Sequence, residues 1–369
     1  MTETQILRPA ATDDRELQSK VISFLRFPLI VGVVMIHSLP QGVPVGELMT
    51  EVGGDTAYDI VHFVISDILA RIAVPLFYFI SGFLFFKGPF TADTYAHKLR
   101  RRAKTILLPY VLWNLFVTLQ LYTIQTLYPQ ITAGASKLVA TYTAADWLSV
   151  FWTITDGTAP ACFQLWFLRD LMVVMVLSPL IYLGISYLRQ WFVIALGVLW
   201  LCGIEIHIPG LSICSFCFFS WGALFGIGKR NFVSDMRPLL VPAAVGYTIL
   251  SIVLTVSRNE PYAEYILNCG IIAGLVLAVT LSACLISRGK WHVNEFLSES
   301  SFFIYAYHAT MLALLTKISA KVVILPANEL EMFTIYLLTP TITILIGLGV
   351  YYLLKKYLPG FTGIITGGR

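Results

Sequence analysis

Charge is scarce in this chain. Asp, Glu, Lys and Arg make up 12% of 369 residues and 57% are hydrophobic, against about 25% and roughly 45–50% in an ordinary soluble domain. That balance excludes a soluble enzyme with its own polar shell, and no polar stretch is long enough for a separate soluble domain. A disulfide framework is missing too, because the six cysteines lie mostly inside apolar runs. Cys214 and Cys217 form a C-x-x-C within SICSFCFFSWG, but no second ligand pair accompanies it, so packing of small residues between helices is the stronger reading and no metal is expected. The first 20 residues are polar and acidic (TDDRELQSK) and lack the apolar core and cleavage site of a secretory signal, so the first helix is expected to stay attached. No repeat of fixed period appears, nor an inverted pair of Gly/Pro-broken helices of the kind seen in secondary transporters.

What is present is a series of apolar runs of about 20 residues, each long enough as a helix to cross a hydrocarbon core of ~30 Å. Ten are expected, at residues 21–39, 60–86, 105–128, 165–187, 191–208, 211–228, 238–257, 264–287, 301–320 and 334–354. With the N-terminus inside, 18 of the 25 Lys and Arg fall on inner segments and 3 on outer loops, the remainder lying in helices. Cytoplasmic loops carry such an excess. The expected fold is therefore an all-α polytopic membrane helix bundle, one domain over residues 1–369, with a cytoplasmic N-terminal segment (1–20) and tail (355–369). Three connections are long. Residues 40–59 form an acidic outer loop, residues 129–164 an outer loop whose KLVATYTAADWLSVFW suits an interfacial amphipathic helix, and residues 87–104 a basic inner loop.

Charges inside apolar helices cost ~2.5–3.5 kcal/mol even on the lenient insertion scale, which makes each a functional candidate. The first run reads RFPLIVGVVMIH. Eleven steps of about 100° and ~1.5 Å return nearly to the starting face after a rise of ~16 Å, so Arg26 and His37 share a face about half a bilayer apart. Pro28 suits a first helical turn and Pro40 ends the helix, which puts His37 near the outer end. In SDILARIAVPLFYFISGFLFF, Asp67 and Arg71 are spaced to pair, either structurally or in catalysis. Ser81 and Gly82 in the same run fit a close helix contact or a place where a ligand meets backbone. Ser301, Tyr305 and His308 form a polar stripe at i, i+4 and i+7 that must face partners inside the bundle. Arg169 and Asp170 follow Trp166 just inside the fourth run. Glu205 and His207 suit cavity lining, whereas His62, His97 and His292, at helix ends or in loops, suit solvent. KLRRRAK (98–104) packs five cations into seven positions. Arg100, Arg101, Arg102 and Lys104 are either a topological flank attracted to anionic lipid or an anion site for a phosphorylated donor.

These pieces occur in an order that resembles the acyltransferase 3 family, multi-pass bacterial membrane enzymes that O-acylate cell-surface sugars. They are Arg26-x10-His37, R-x-x-V-P-L-F-Y-F-I-S-G from Arg71 to Gly82, the basic segment before Pro109 and Tyr110, Gln164-Leu-Trp-Phe-Leu, and Ser301-x3-Tyr305-x2-His308. The resemblance spans nearly the whole chain and ten crossings is the family's usual number. It implies an O-acetyltransferase of the bacterial inner membrane, acting in the cell envelope on a carbohydrate acceptor with acetyl-CoA or another acyl-CoA as donor. His37 is then the essential histidine, as general base or acyl carrier, with Arg26 as its partner. The basic segment is a candidate site for the coenzyme A phosphates, and Tyr305 and His308 are candidate hydrogen-bond donors to the thioester carbonyl. The remaining partner is the lipid bilayer, with no nucleic acid; self-association is left open. Two departures stand out: Phe27 and Pro28 follow the arginine, and the inner loop carries Arg101-x-x-Lys104 where two arginines are usual. A transporter or flippase for a polyprenyl-linked sugar or small solute is the alternative from another class, and a membrane sensor is a third.

Overall fold

The computed structural model describes residues 11–39, 44–45, 48–49, 54–129, 137–153, 159–324 and 326–368. These residues are predominantly helical; the extended elements among them are a two-strand hairpin, β1 (Pro44–Val45) with β2 (Leu48–Met49), and an isolated bridge between Ile208 and Leu211. The long helices are α1 (Ala11–Ile36), α2 (Ala57–Phe86), α3 (Ala92–Leu127), α9 (Phe232–Val256), α10 (Ala263–Ser287), α11 (Glu295–Ile318) and α12 (Glu329–Tyr357). Between α3 and α9 lie α4 (Ala144–Trp152), α5 (Trp166–Val176), α6 (Ser178–Leu188), α7 (Gln190–Leu201) and α8 (Ile213–Ile227). A short α13 (Pro359–Thr366) closes the chain.

A helix occupies each of the ten expected positions, but not all have the dimensions of a crossing. Among the described residues six are long and apolar enough, and α5 with α6, bent by 59° at their junction, would make a seventh. At 12 and 15 residues, α7 and α8 rise only ~18 and ~22 Å, short of a ~30 Å core. Although α11 has 24 residues, its apolar character is diluted by Ser300, Ser301, Tyr305, Tyr307 and His308. Its polar stripe is the cause, and the bundle interior receives it: Ser301, Tyr305 and His308 are all buried.

Small residues set the closest contact. A Cβ on Gly82 would meet the backbone oxygen of Phe219 at 2.0 Å, and one on Gly222 would meet that of Phe79 at 1.9 Å. With no hydrophobic drive between helices in lipid, such backbone approach supplies dispersion contacts that larger residues forbid. α2 and α8 therefore lock together, with Phe79 ringed by Trp221, Phe225 and Phe232. Gly82 thus makes a helix contact while its neighbour Ser81 faces open space. Cys217 is buried in the same layer.

Three local expectations are corrected. The segment 87–104 is no loop, because Thr91 caps a helix whose π-helical turn at Ala103–Leu107 runs on into Leu108; its cations hide a continuous helical register. Pro28 sits in mid-helix, not in a first turn, since α1 begins at Ala11; its ring is exposed, where the lost backbone hydrogen bond disturbs no packed neighbour. The outer-loop helix covers only Ala144–Trp152, since Thr143 caps it and residues 139–141 form a separate 3-10 turn. Pro40 lies outside the described residues.

Candidate active site

α1 presents Arg26 and His37 to the same cavity, of about 510 Å³. The periodicity that aligned them brings both to one wall, and the ~16 Å rise between them makes the cavity a shaft along the bundle. Gly32, between them, lets the backbone of α1 approach Ala70 of α2 at 3.4 Å from where a Cβ would stand. That contact brings Arg71 onto the shaft beside His37, near enough for their charges to interact.

α2 is irregular where this happens. A π-helical turn spans Phe63–Leu69 and a 3-10 turn Ala70–Ile72, and such departures gather at functional sites. Arg71 Nη2 donates to Asp67 Oδ1 at 2.9 Å, and half of the Arg71 side chain stays exposed to the shaft. Asp67 itself does not line the shaft and serves to hold the guanidinium. His62, expected in solvent, is instead buried 3.9 Å from Asp67 and 3.3 Å from the Ser38 carbonyl. The α2 helix turns it inward against Tyr336.

α11 supplies Ser298, Ser301 and Tyr305 to the shaft, and α2 supplies Ser81. His308 lies behind His37, fully buried, its ring stacked on that of His37 with centroids 5.4 Å apart. Its Nδ1 is 2.7 Å from the Tyr305 carbonyl oxygen, which fixes the hydrogen there, and its Nε2 has no hydrogen-bond partner among the described residues. The Tyr305 hydroxyl donates to the Gln164 carbonyl at 2.5 Å, and Gln164 Nε2 donates to the Ala306 carbonyl at 2.8 Å. Both hydrogens expected to meet a substrate carbonyl are engaged with backbone carbonyls in this arrangement. Phe163 meets the His37 ring edge-on at 5.2 Å, closing its other side.

Of the basic segment only Arg102 reaches the shaft; Arg100, Arg101 and Lys104 are exposed on α3. Neither Arg26 nor Arg102 makes an ion pair among the described residues. Arg169 stands apart. Buried with Asp170, it donates Nε to Asp170 Oδ1 at 3.0 Å and Nη1 to the Trp152 carbonyl at 2.8 Å, tying α4 to α5. Glu205 and His207 are exposed and do not line the shaft, because they follow the end of α7 in an irregular segment. Among the lining residues that sequence reasoning passed over are Trp200, Glu264, Asn268 and Ser298. The i, i+4 spacing of a carboxylate and an amide in an otherwise apolar helix was the available signal.

The acyltransferase 3 family's acyltransferase domain matches residues 20–355. The chain belongs to the acyltransferase 3 family. It is thus a membrane acyltransferase, and the transporter and sensor readings lose their basis. A curated relative in sequence, the succinoglycan biosynthesis protein ExoH of Rhizobium meliloti (strain 1021), is 25% identical over 370 residues, covering 94% of this chain and 92% of the relative. No solved structure matches. In this acyltransferase the family match encloses the whole shaft, from Arg26 on α1 to Tyr305 on α11.

Proposed function

We propose that this acyltransferase moves an acyl group, most simply acetyl, from a cytoplasmic acyl-CoA to a hydroxyl of a cell-surface or lipid-linked carbohydrate, in the bacterial inner membrane. The observation that carries the reading is the single shaft joining Arg26 and Arg102 to His37 and Arg71. The polysaccharide-biosynthesis name of the relative supports a carbohydrate acceptor. Ten crossings with both termini cytoplasmic are part of the proposal, supported by the Lys/Arg excess and by helices at all ten positions. That orientation puts Arg102 at the cytoplasmic mouth and His37 toward the outer face.

The residues fit the donor. Two cations that make no ion pair among the described residues suit phosphates, since arginine forks grip them bidentately, and the ~16 Å between Arg26 and His37 gives the shaft length for the thioester arm. Arg100, Arg101 and Lys104 attract the anion to the mouth from outside the shaft. At the far end stands His37, and a neutral imidazole is suited to proton transfer. His37 takes the acceptor hydroxyl proton as that oxygen attacks the thioester carbonyl carbon. Arg71, held by Asp67, offsets the charge developing on the carbonyl oxygen, an effect worth ~3 kcal/mol per donor in well-studied enzymes. As the carbon–sulfur bond breaks, His37 returns its proton to the departing thiolate. His308 and Phe163 clamp the His37 ring so that this exchange occurs in one geometry.

The test compares surface polysaccharide from cells with and without the gene by mass spectrometry. The expected result is the loss of one acyl mass, 42 Da on repeat units for acetyl being about the increment of one C2H2O unit. Identical masses across all surface glycans would overturn the proposal.

A further inference from the structure

We infer that Glu264, Asn268 and Trp200 form the acceptor subsite, in which a sugar ring is held at the His37 end of the shaft. The inference rests on the acyl-transfer reading and adds the residues that choose the hydroxyl. Glu264 and Asn268 lie on one face of α10 in its first two turns, a rise of ~6 Å apart, and both line the shaft. Glu264 is exposed to the opening and makes no ion pair among the described residues, although Arg71 lines the same shaft. Asn268 is buried, its Nδ2 only 3.4 Å from the Trp200 carbonyl, a long and weak contact. Trp200 comes from the last turn of α7, its ring edge-on to Phe218 at 4.8 Å.

A carboxylate acceptor, an amide that both donates and accepts, and an indole together answer the chemistry of a sugar. The carboxylate accepts from adjacent hydroxyls, and the indole packs against ring C–H groups. The cations at the other end answer an anion instead, so the two ends of the shaft are chemically unlike. A second explanation for Glu264 is its place in the first turn of α10, where a negative charge favours the helix dipole. That role predicts no effect on sugar affinity.

The experiment uses the full chain in nanodiscs, with deacylated oligosaccharide repeats from the surface polysaccharide of the cells that carry the gene as probe. Binding is measured by equilibrium dialysis without thioester, and acetyl-CoA turnover is measured separately. Glu264→Gln and Asn268→Ala should each weaken oligosaccharide binding about tenfold or more, leaving the KM for acetyl-CoA within about twofold, because the cations proposed to hold the donor are untouched. Trp200→Phe should lose less than Trp200→Ala, which separates ring packing from misfolding. Unchanged binding in Glu264→Gln and Asn268→Ala, equal loss of acetyl-CoA affinity, or no binding by the wild type would overturn the subsite. Wild-type binding without any thioester turnover would instead sink the acyl-transfer reading and leave the subsite standing.

Discussion

In the proposed mechanism His37 is the residue on which the chemistry turns, and its surroundings hold its ring in one orientation. Stacking on His308 and the edge of Phe163 fix the ring, while Arg71 is steered by Asp67. We expect His37→Ala to lower turnover by about 10²–10⁴-fold, the usual contribution of a positioned base. Arg71→Ala should lower it by about 10²–10³-fold, with partial recovery in Arg71→Lys, since a point charge replaces only part of a planar fork. Initial rates at saturating acetyl-CoA check both, and a loss below threefold in either variant would be far outside about one order of magnitude of these figures. Much of this residue layout was legible beforehand. The helical repeat put Arg26 and His37 on one face, and the Asp67/Arg71 spacing implied their pair. Glu264 was not legible, because an acid in the first turn of a helix is an ordinary sight and only the fold shows which opening it faces. His62 misled for a related reason: its position near a helix end suggested solvent, whereas the packing of α12 against α2 buries it.

At the scale of elements, two devices hold the walls of the shaft. The first is the α2–α8 contact at Gly82 and Gly222, where a methyl group would collide with facing backbone. Gly222→Ala is expected to destabilise the protein by about 1–3 kcal/mol, the usual range for overpacking, read as a lowered midpoint of thermal unfolding in detergent. The second is the buried Arg169–Asp170 pair, which also anchors Trp152. Removing one partner of a buried pair costs about 3–5 kcal/mol, so Arg169→Ala should expose α4 to protease while Arg169→Lys exposes it less. The cap of α4 carries a pH signature. Lys137, with Thr143, holds the Asp146 carboxyl down to about 2 from an ordinary 3.8. A lowered carboxylate stabilises fully above its unfolded pKa and loses that contribution as pH falls through the folded one. Protease resistance of the 137–153 segment should therefore be flat at neutral pH and fall only between about pH 4 and pH 2. An interfacial helix was readable in this segment, but it proved shorter than its apolar pattern, because Thr143 caps it. Similarly, KLRRRAK read as a loop because five cations mask a helical register that Thr91 and the π-helical turn make plain.

For the whole molecule, the shaft is the proposed route of transfer, with Arg26 and Arg102 toward one end and His37 toward the other. Membership of the acyltransferase 3 family was legible in the order of short motifs, none specific alone. The number of crossings was harder, because apolar runs announce helices without their lengths. α7 and α8 end early at Cys202 and Gly228, and α5 bends away from α6. Single cysteines introduced at Lys290 and at Glu260 should label from the cytoplasmic and outer sides respectively with an impermeant thiol reagent, if both termini are cytoplasmic; the reverse pattern would invert the proposed direction of transfer.

The central claim is transfer across the membrane through His37. Purified protein in sealed vesicles, sorted to one orientation, would receive labelled acetyl-CoA on the Arg102 side and deacylated surface oligosaccharide on the His37 side. The account predicts labelled oligosaccharide with the wild type and none above background with His37→Ala. Equal labelling by His37→Ala, or labelling only when donor and acceptor share a compartment, would contradict it.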